Sequence, residues 1–80
     1  MSKKDKLIKK FKSDSEFTFQ ELEGLLKLLG YELIEGEGSR VKFLNRNTGN
    51  IIRTHKPHPD KSIKEYVRRE IMARLKDELL

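Results

Sequence analysis

The side chains with chemical reach gather in two short stretches of this 80-residue chain. One is His55-Lys56-Pro57-His58-Pro59, with Arg53 two residues ahead of it. Imidazole is the one side chain whose ordinary titration falls near neutral pH, so two of them beside cations suit proton transfer in phosphodiester cleavage. Pro57 and Pro59 fix φ on either side of His58 and would hold its backbone still, as a catalytic group requires. The bland alternative is a pair of exposed loop histidines in a turn that proline merely stiffens. The other stretch is Gly38-Ser39-Arg40-Val41-Lys42-Phe43. Gly38 and Ser39 at a strand start leave amides open to an anion, and strand alternation puts Arg40 and Lys42 on one face, which suits a phosphate. An ordinary hairpin with exposed basic residues fits this stretch equally well.

Other catalytic signatures are absent. The chain has no cysteine, no phosphate-binding glycine loop and no nucleophile elbow. With two histidines and scattered carboxylates, no metal site is expected. Glu21 and Glu23 sit two apart on a helix, face different directions and carry no weight as a pair.

Both stretches need elements to hold them. Residues 4–11 read as a short helix with Leu7, Ile8 and Phe11 on one side. Thr18 followed by Glu21 is a capping box, with Phe17 and Leu22 spaced as a hydrophobic staple. Leu22, Leu25, Leu26 and Leu29 then repeat at helical spacing up to Gly30, predicting a helix over 19–29. Tyr31–Glu35, Arg40–Asn45 and Ile51–His55 alternate as strands, separated by turns at Gly36-Glu37-Gly38 and Asn47-Thr48-Gly49-Asn50. The two prolines interrupt regular structure. Ser62 and Glu65 repeat the capping-box spacing, and Ile63, Val67, Ile71 and Leu75 form an i, i+4 stripe with Tyr66 and Met72 beside it, predicting a helix over 62–77. Two helices should cover one face of a three-stranded antiparallel sheet and leave the other face open, with a short extra helix in front. Leu22, Leu26, Val41, Phe43, Ile63, Val67 and Ile71 are the expected core.

Composition bounds the partners. Eighty residues with 35% hydrophobic content support a single small core. No apolar run approaches the roughly 20 residues of a membrane span, and the lysine-rich start lacks the apolar stretch of a signal peptide. An intracellular, cytoplasmic protein without disulfides is the expectation. Charge is segregated: residues 1–12 carry six Lys against one Asp, 13–37 carry Lys27 against seven carboxylates, and 38–80 carry eleven basic against five acidic residues. A cationic face suits a polyanion, while the acidic segment opposes indiscriminate binding to phosphate.

Taken in order and spacing, these pieces resemble the HicA toxin family. The resemblance runs over residues 17–80, through Phe17-Thr18-Phe19-Gln20-Glu21-Leu22, Leu29-Gly30-Tyr31, the Gly38-Ser39 strand and the His55–Pro59 loop ahead of the last helix. It sets residues 1–16 apart as a basic N-terminal helix or extension. The fold it implies is α+β, an α–β–β–β–α arrangement like that of double-stranded-RNA-binding domains. The implied activity is metal-independent, cofactor-free cleavage of mRNA, neutralised by a HicB-type antitoxin. On that reading Ser39, Arg40, Lys42, Arg53, Lys56 and Arg68 contact RNA, and His58 or His55 acts as general base on the ribose 2′-hydroxyl. His58 matches a family histidine in the loop before the last helix. Family members usually carry another histidine just after Gly-Ser, where this chain has Arg40; His55, on the Arg53 face of its strand, would then serve as the partner acid. The alternative is a module of the same fold that binds RNA or a partner protein without cleaving.

Overall fold

Element boundaries follow local hydrogen bonding, beginning at Thr18. The computed structural model describes residues 2–57 and 62–79; His58, a candidate base, lies outside them. The Thr18 hydroxyl accepts the Glu21 N–H at 3.2 Å, and the Glu21 carboxylate accepts the Thr18 N–H at 3.1 Å. This capping box opens α2 (Phe19–Leu28), preceded by α1 (Lys3–Lys12). Gly30, at φ 97°, reverses the chain out of α2, a left-handed conformation that side chains with a Cβ resist. The strands follow with the expected limits: β1 (Tyr31–Glu35), β2 (Arg40–Asn45) and β3 (Ile51–His55). The last helix is α3 (Glu65–Arg74).

The sheet is antiparallel with β2 in the middle. Val41 and Phe43 of β2 and Ile52 of β3 point to one face and are buried, while Arg40, Lys42 and Arg53 point to the other and are exposed. Helix α2 lies against β1 and α3 against β3 on the buried face. Leu22, Leu25, Leu26, Ile63, Ile71 and Leu75 complete the core with the strand residues; Val67 is only partly buried at its edge. The architecture is the α+β, α–β–β–β–α arrangement expected from the sequence, with the sheet open on one side. Among the described residues no helix is long and apolar enough to cross a membrane.

One element differs from the expectation, at both of its ends. Helix α3 starts at Glu65 rather than Ser62, and its N-cap, Lys64, makes no side-chain capping bond. Ser62 stays extended instead, bridging to Thr18, and the Ile63 N–H donates to the Phe17 carbonyl at 2.9 Å. Pairing with the entry to α2 satisfies backbone groups that an earlier helix start would leave to a cap. At its far end α3 gives way to turns over residues 75–78, which bring Leu79 back into the core.

Helix α1 is docked rather than trailing. Phe11 is fully buried, with its ring centroid 5.0 Å from that of Phe17. Leu7 and Ile8 pack partly against the core, and Lys10 forms an ion pair with Glu21 of α2. Burial works to raise the Glu21 carboxyl, but the Lys10 and Thr18 hydrogen bonds outweigh it and hold it below the usual carboxylate range.

A polar cluster fixes the end of the sheet opposite the Gly36–Ser39 turn. Buried Asn45 accepts the Asn47 N–H at 2.9 Å and donates to the Leu29 carbonyl at 3.3 Å. The Tyr31 hydroxyl donates to Glu78 at 2.7 Å and accepts from Asn50 at 2.8 Å. Burial, then the Glu78 carboxylate, push the Tyr31 phenol up to about 12.

Two outcomes follow. Leu26→Ala or Ile71→Ala should destabilise the fold by about 2–5 kcal/mol, read as a large drop in thermal midpoint. An unfolded tyrosine ionises near 10, so the unfolded chain releases its proton before the folded one does. The Tyr31 contribution is therefore complete below pH 10 and is lost as pH rises from 10 towards 12. Tyr31→Phe should lower stability at pH 8 by about 1–3 kcal/mol and flatten the alkaline fall, measured by urea unfolding across that range.

Candidate functional site

The open face of the sheet is built by alternation. Arg40 and Lys42 project from β2, and the register sets Arg40 opposite His55 and Lys42 opposite Arg53. The Lys56 N–H donates to the Ser39 carbonyl at 2.7 Å, and the Asn45 N–H to the Asn50 carbonyl at 3.0 Å. Those pairs are hydrogen-bonded, so by two-residue alternation Arg40–His55 and Lys42–Arg53 occupy non-hydrogen-bonded sites. There the Cα atoms come to about 4.5 Å and the side chains lie closest. Two cations facing each other at such a site are destabilising. Among the described residues, no carboxylate pairs with Arg40, Lys42 or Arg53 to relieve them. These side chains, with Ile34, Gly36 and Glu35, whose carboxylate pairs with Lys56, line a broad hollow of about 570 Å³. An anion of phosphate type would remove the repulsion.

The remaining expected site residues are distributed differently. Ser39 is exposed in the turn beside Arg40, and its carbonyl holds the start of the Lys56 segment. Lys56 follows His55 and so turns away from the quartet, bonding Glu35 at 3.3 Å with its ammonium 6.0 Å from the Phe19 ring centre. Arg68 is not brought to the sheet face at all. Its guanidinium donates to the carbonyls of Lys10, Phe11, Ser13 and Ser15, and lies 5.6 and 5.5 Å from the Phe11 and Phe17 ring centres. The last carbonyls of a helix have no partners within it, and Arg68 supplies them. Its place in an RNA contact set is therefore taken by a structural role. No local signal in the sequence marks this, because every helix end leaves its last carbonyls without partners.

Sequence reasoning also passed over a second groove, on the far side of β3. Tyr66, Glu70 and Arg74 line it from α3, and Arg53, Thr54 and His55 from the strand. Their i, i+4, i+8 spacing marks a helix stripe beside the apolar one. Among the described residues, no three His, Asp or Glu side chains gather as a metal site would require.

An open antiparallel sheet with helices on one face and unneutralised cations on the other defines a small α+β domain with an exposed cationic surface. Residues 19–77, most of the chain, match the family described as HicA toxin of bacterial toxin-antitoxin, and the chain belongs to that family. Membership makes it a toxin of a toxin-antitoxin system, with an antitoxin as its class of partner. No curated protein and no solved structure matches the chain. Helix α1 lies outside the matched residues.

Lys42→Gln should separate function from stability. Relief of the Lys42–Arg53 repulsion should stabilise the fold by about 0.2–1 kcal/mol. The same change should weaken single-stranded RNA binding and reduce its log–log salt slope by about 0.7, one phosphate contact, in titrations at several salt concentrations.

Proposed function

We propose that this toxin is a metal-independent endoribonuclease that cleaves mRNA and is neutralised by a HicB-type antitoxin. The observation that carries the reading is the quartet of Arg40, Lys42, Arg53 and His55, gathered on an open sheet face with its three permanent cations unpaired by any described carboxylate. Arg40, Lys42 and Arg53 hold the scissile phosphate and offset the charge that builds on it. The ribose 2′-oxygen attacks phosphorus while the bond to the 5′-oxygen breaks, leaving a 2′,3′-cyclic phosphate and a free 5′-hydroxyl. His58, three residues beyond His55 in the chain, takes the 2′-hydroxyl proton. His55, opposite Arg40, returns a proton to the leaving oxygen, in the role of the histidine that family members usually carry after Gly-Ser. Recognition of the 2′-hydroxyl restricts the reaction to RNA.

The absence of a histidine after Gly38-Ser39 favours a second reading, a module that binds RNA or a partner without cleaving it. Expression in a bacterial host separates the two. Growth arrest relieved by a co-expressed antitoxin, with cleavage of RNA by the purified protein, supports the nuclease. His55→Ala and His58→Ala should each slow cleavage by about 10²–10⁴-fold while the fold and RNA affinity persist. A double variant that still cleaves would eliminate histidine chemistry, and a parent protein that binds RNA but never cleaves it would establish the binding module.

A further inference from the structure

The groove between β3 and α3 has a use that the phosphate-binding face leaves open. Tyr66 is 67% exposed, and a lone exposed aromatic has no meaning by itself. Its surroundings give it one. The groove has a volume of about 280 Å³, with buried Ile52 and Ile71 and partly buried Val67 as its apolar floor. That is just below the roughly 300–1,000 Å³ of sites for drug-sized ligands, and suits a single ring system. Arg53 and Arg74 bring positive charge to its walls.

The groove is also continuous with the phosphate-type site. Arg53, Thr54 and His55 line both it and the hollow on the sheet face, because β3 is an edge strand reached from both sides. A nucleic acid strand crossing β3 can place a phosphate over Arg40, Lys42 and Arg53 and turn its neighbouring base into the groove. A base can do this only when unpaired and unstacked, the state in which proteins read RNA by aromatic stacking. Glu70, four residues from Tyr66 on the same helix stripe, fits a base rather than the backbone. Its carboxylate repels phosphate but accepts hydrogen bonds from exocyclic amino groups.

We infer that the β3–α3 groove is a base-binding subsite, in which one unpaired nucleobase of single-stranded RNA stacks on the Tyr66 ring and an amino-bearing base is favoured over uracil by Glu70. The subsite rests on the RNA-cleaving reading above, and its test distinguishes failure of the two. The chain contains no tryptophan, so Tyr66→Trp places a single indole reporter at the groove. The probes are 2′-O-methyl oligoadenylate and oligouridylate, which lack the attacking hydroxyl, and inorganic polyphosphate, which has charge without bases.

Oligoadenylate should quench the indole, oligouridylate should bind more weakly, and polyphosphate should bind without quenching. Tyr66→Ala should weaken oligoadenylate binding by about 5- to 100-fold with the salt slope unchanged, since stacking releases no counterions. Tyr66→Phe should retain most of the affinity, and Glu70→Gln should narrow the adenylate preference. Unchanged affinity in Tyr66→Ala, with normal salt-dependent binding by the parent, overturns the subsite and leaves the phosphate surface standing. No binding of either oligonucleotide by the parent overturns both readings. An indole that responds to purified antitoxin and not to RNA reassigns the groove to a protein partner and overturns the proposal.

Discussion

Strand β2 is hydrogen-bonded along both edges, and its register against β1 and β3 governs which way every side chain of the sheet points. A slip of one residue on either side would carry Val41 and Phe43 to solvent and Arg40 and Lys42 into the core. Burying those cations without partners would cost several kcal/mol each, more than a domain of this size can lose. The apolar and basic alternations of one six-residue strand therefore enforce each other. The core and the cationic surface are two sides of one constraint.

That surface is electrostatically unfinished in the isolated chain. Lys42 and Arg53 meet at a close ladder site, and the two carboxylates that pair from β1 do so elsewhere, Glu35 with Lys56 and Glu32 with Arg46. The repulsion is a fraction of a kcal/mol to about 1 kcal/mol, tolerable beside the burial of Phe43 and Ile52 directly behind it. The opposite end of the sheet is treated in the reverse way. Around Asn45, Tyr31, Asn50 and Glu78 the polar groups satisfy one another, tying the hairpin to the end of α2 and the C-terminal turns. One end of the sheet is closed by internal hydrogen bonds, and the other leaves its cations exposed to solvent.

Helix α1 shows how a segment outside the matched family residues becomes part of the same core. Its intrinsic stability is slight, since ten residues rich in like-charged lysines do not hold a helix in water. Phe11 supplies the apolar anchor, and Arg68 of α3 gathers the carbonyls at the helix end between two aromatic rings. Partly buried cation–aromatic contacts and multiple charge-assisted hydrogen bonds make this a strong lock for one side chain.

The sequence by itself determined the strands, the α2 capping box, the open-faced architecture and the pairing of Arg40 with Lys42. Each of these is set by neighbours within a few residues, through alternation, capping or turn geometry. It also indicated that His55 shares a face with Arg53, for the same reason. Only the tertiary structure decided that His55 stands opposite Arg40, because strand register depends on the turn that joins β2 to β3. It alone committed Arg68 to α1, withdrew Lys56 to Glu35 and left Ser62 extended against Thr18. Those outcomes depend on groups tens of residues apart competing for the same donors and acceptors, and no local pattern encodes who wins. The groove at Tyr66 is of the same kind: an aromatic beside a core stripe looks like core until the packing of α3 on an edge strand leaves it in solvent.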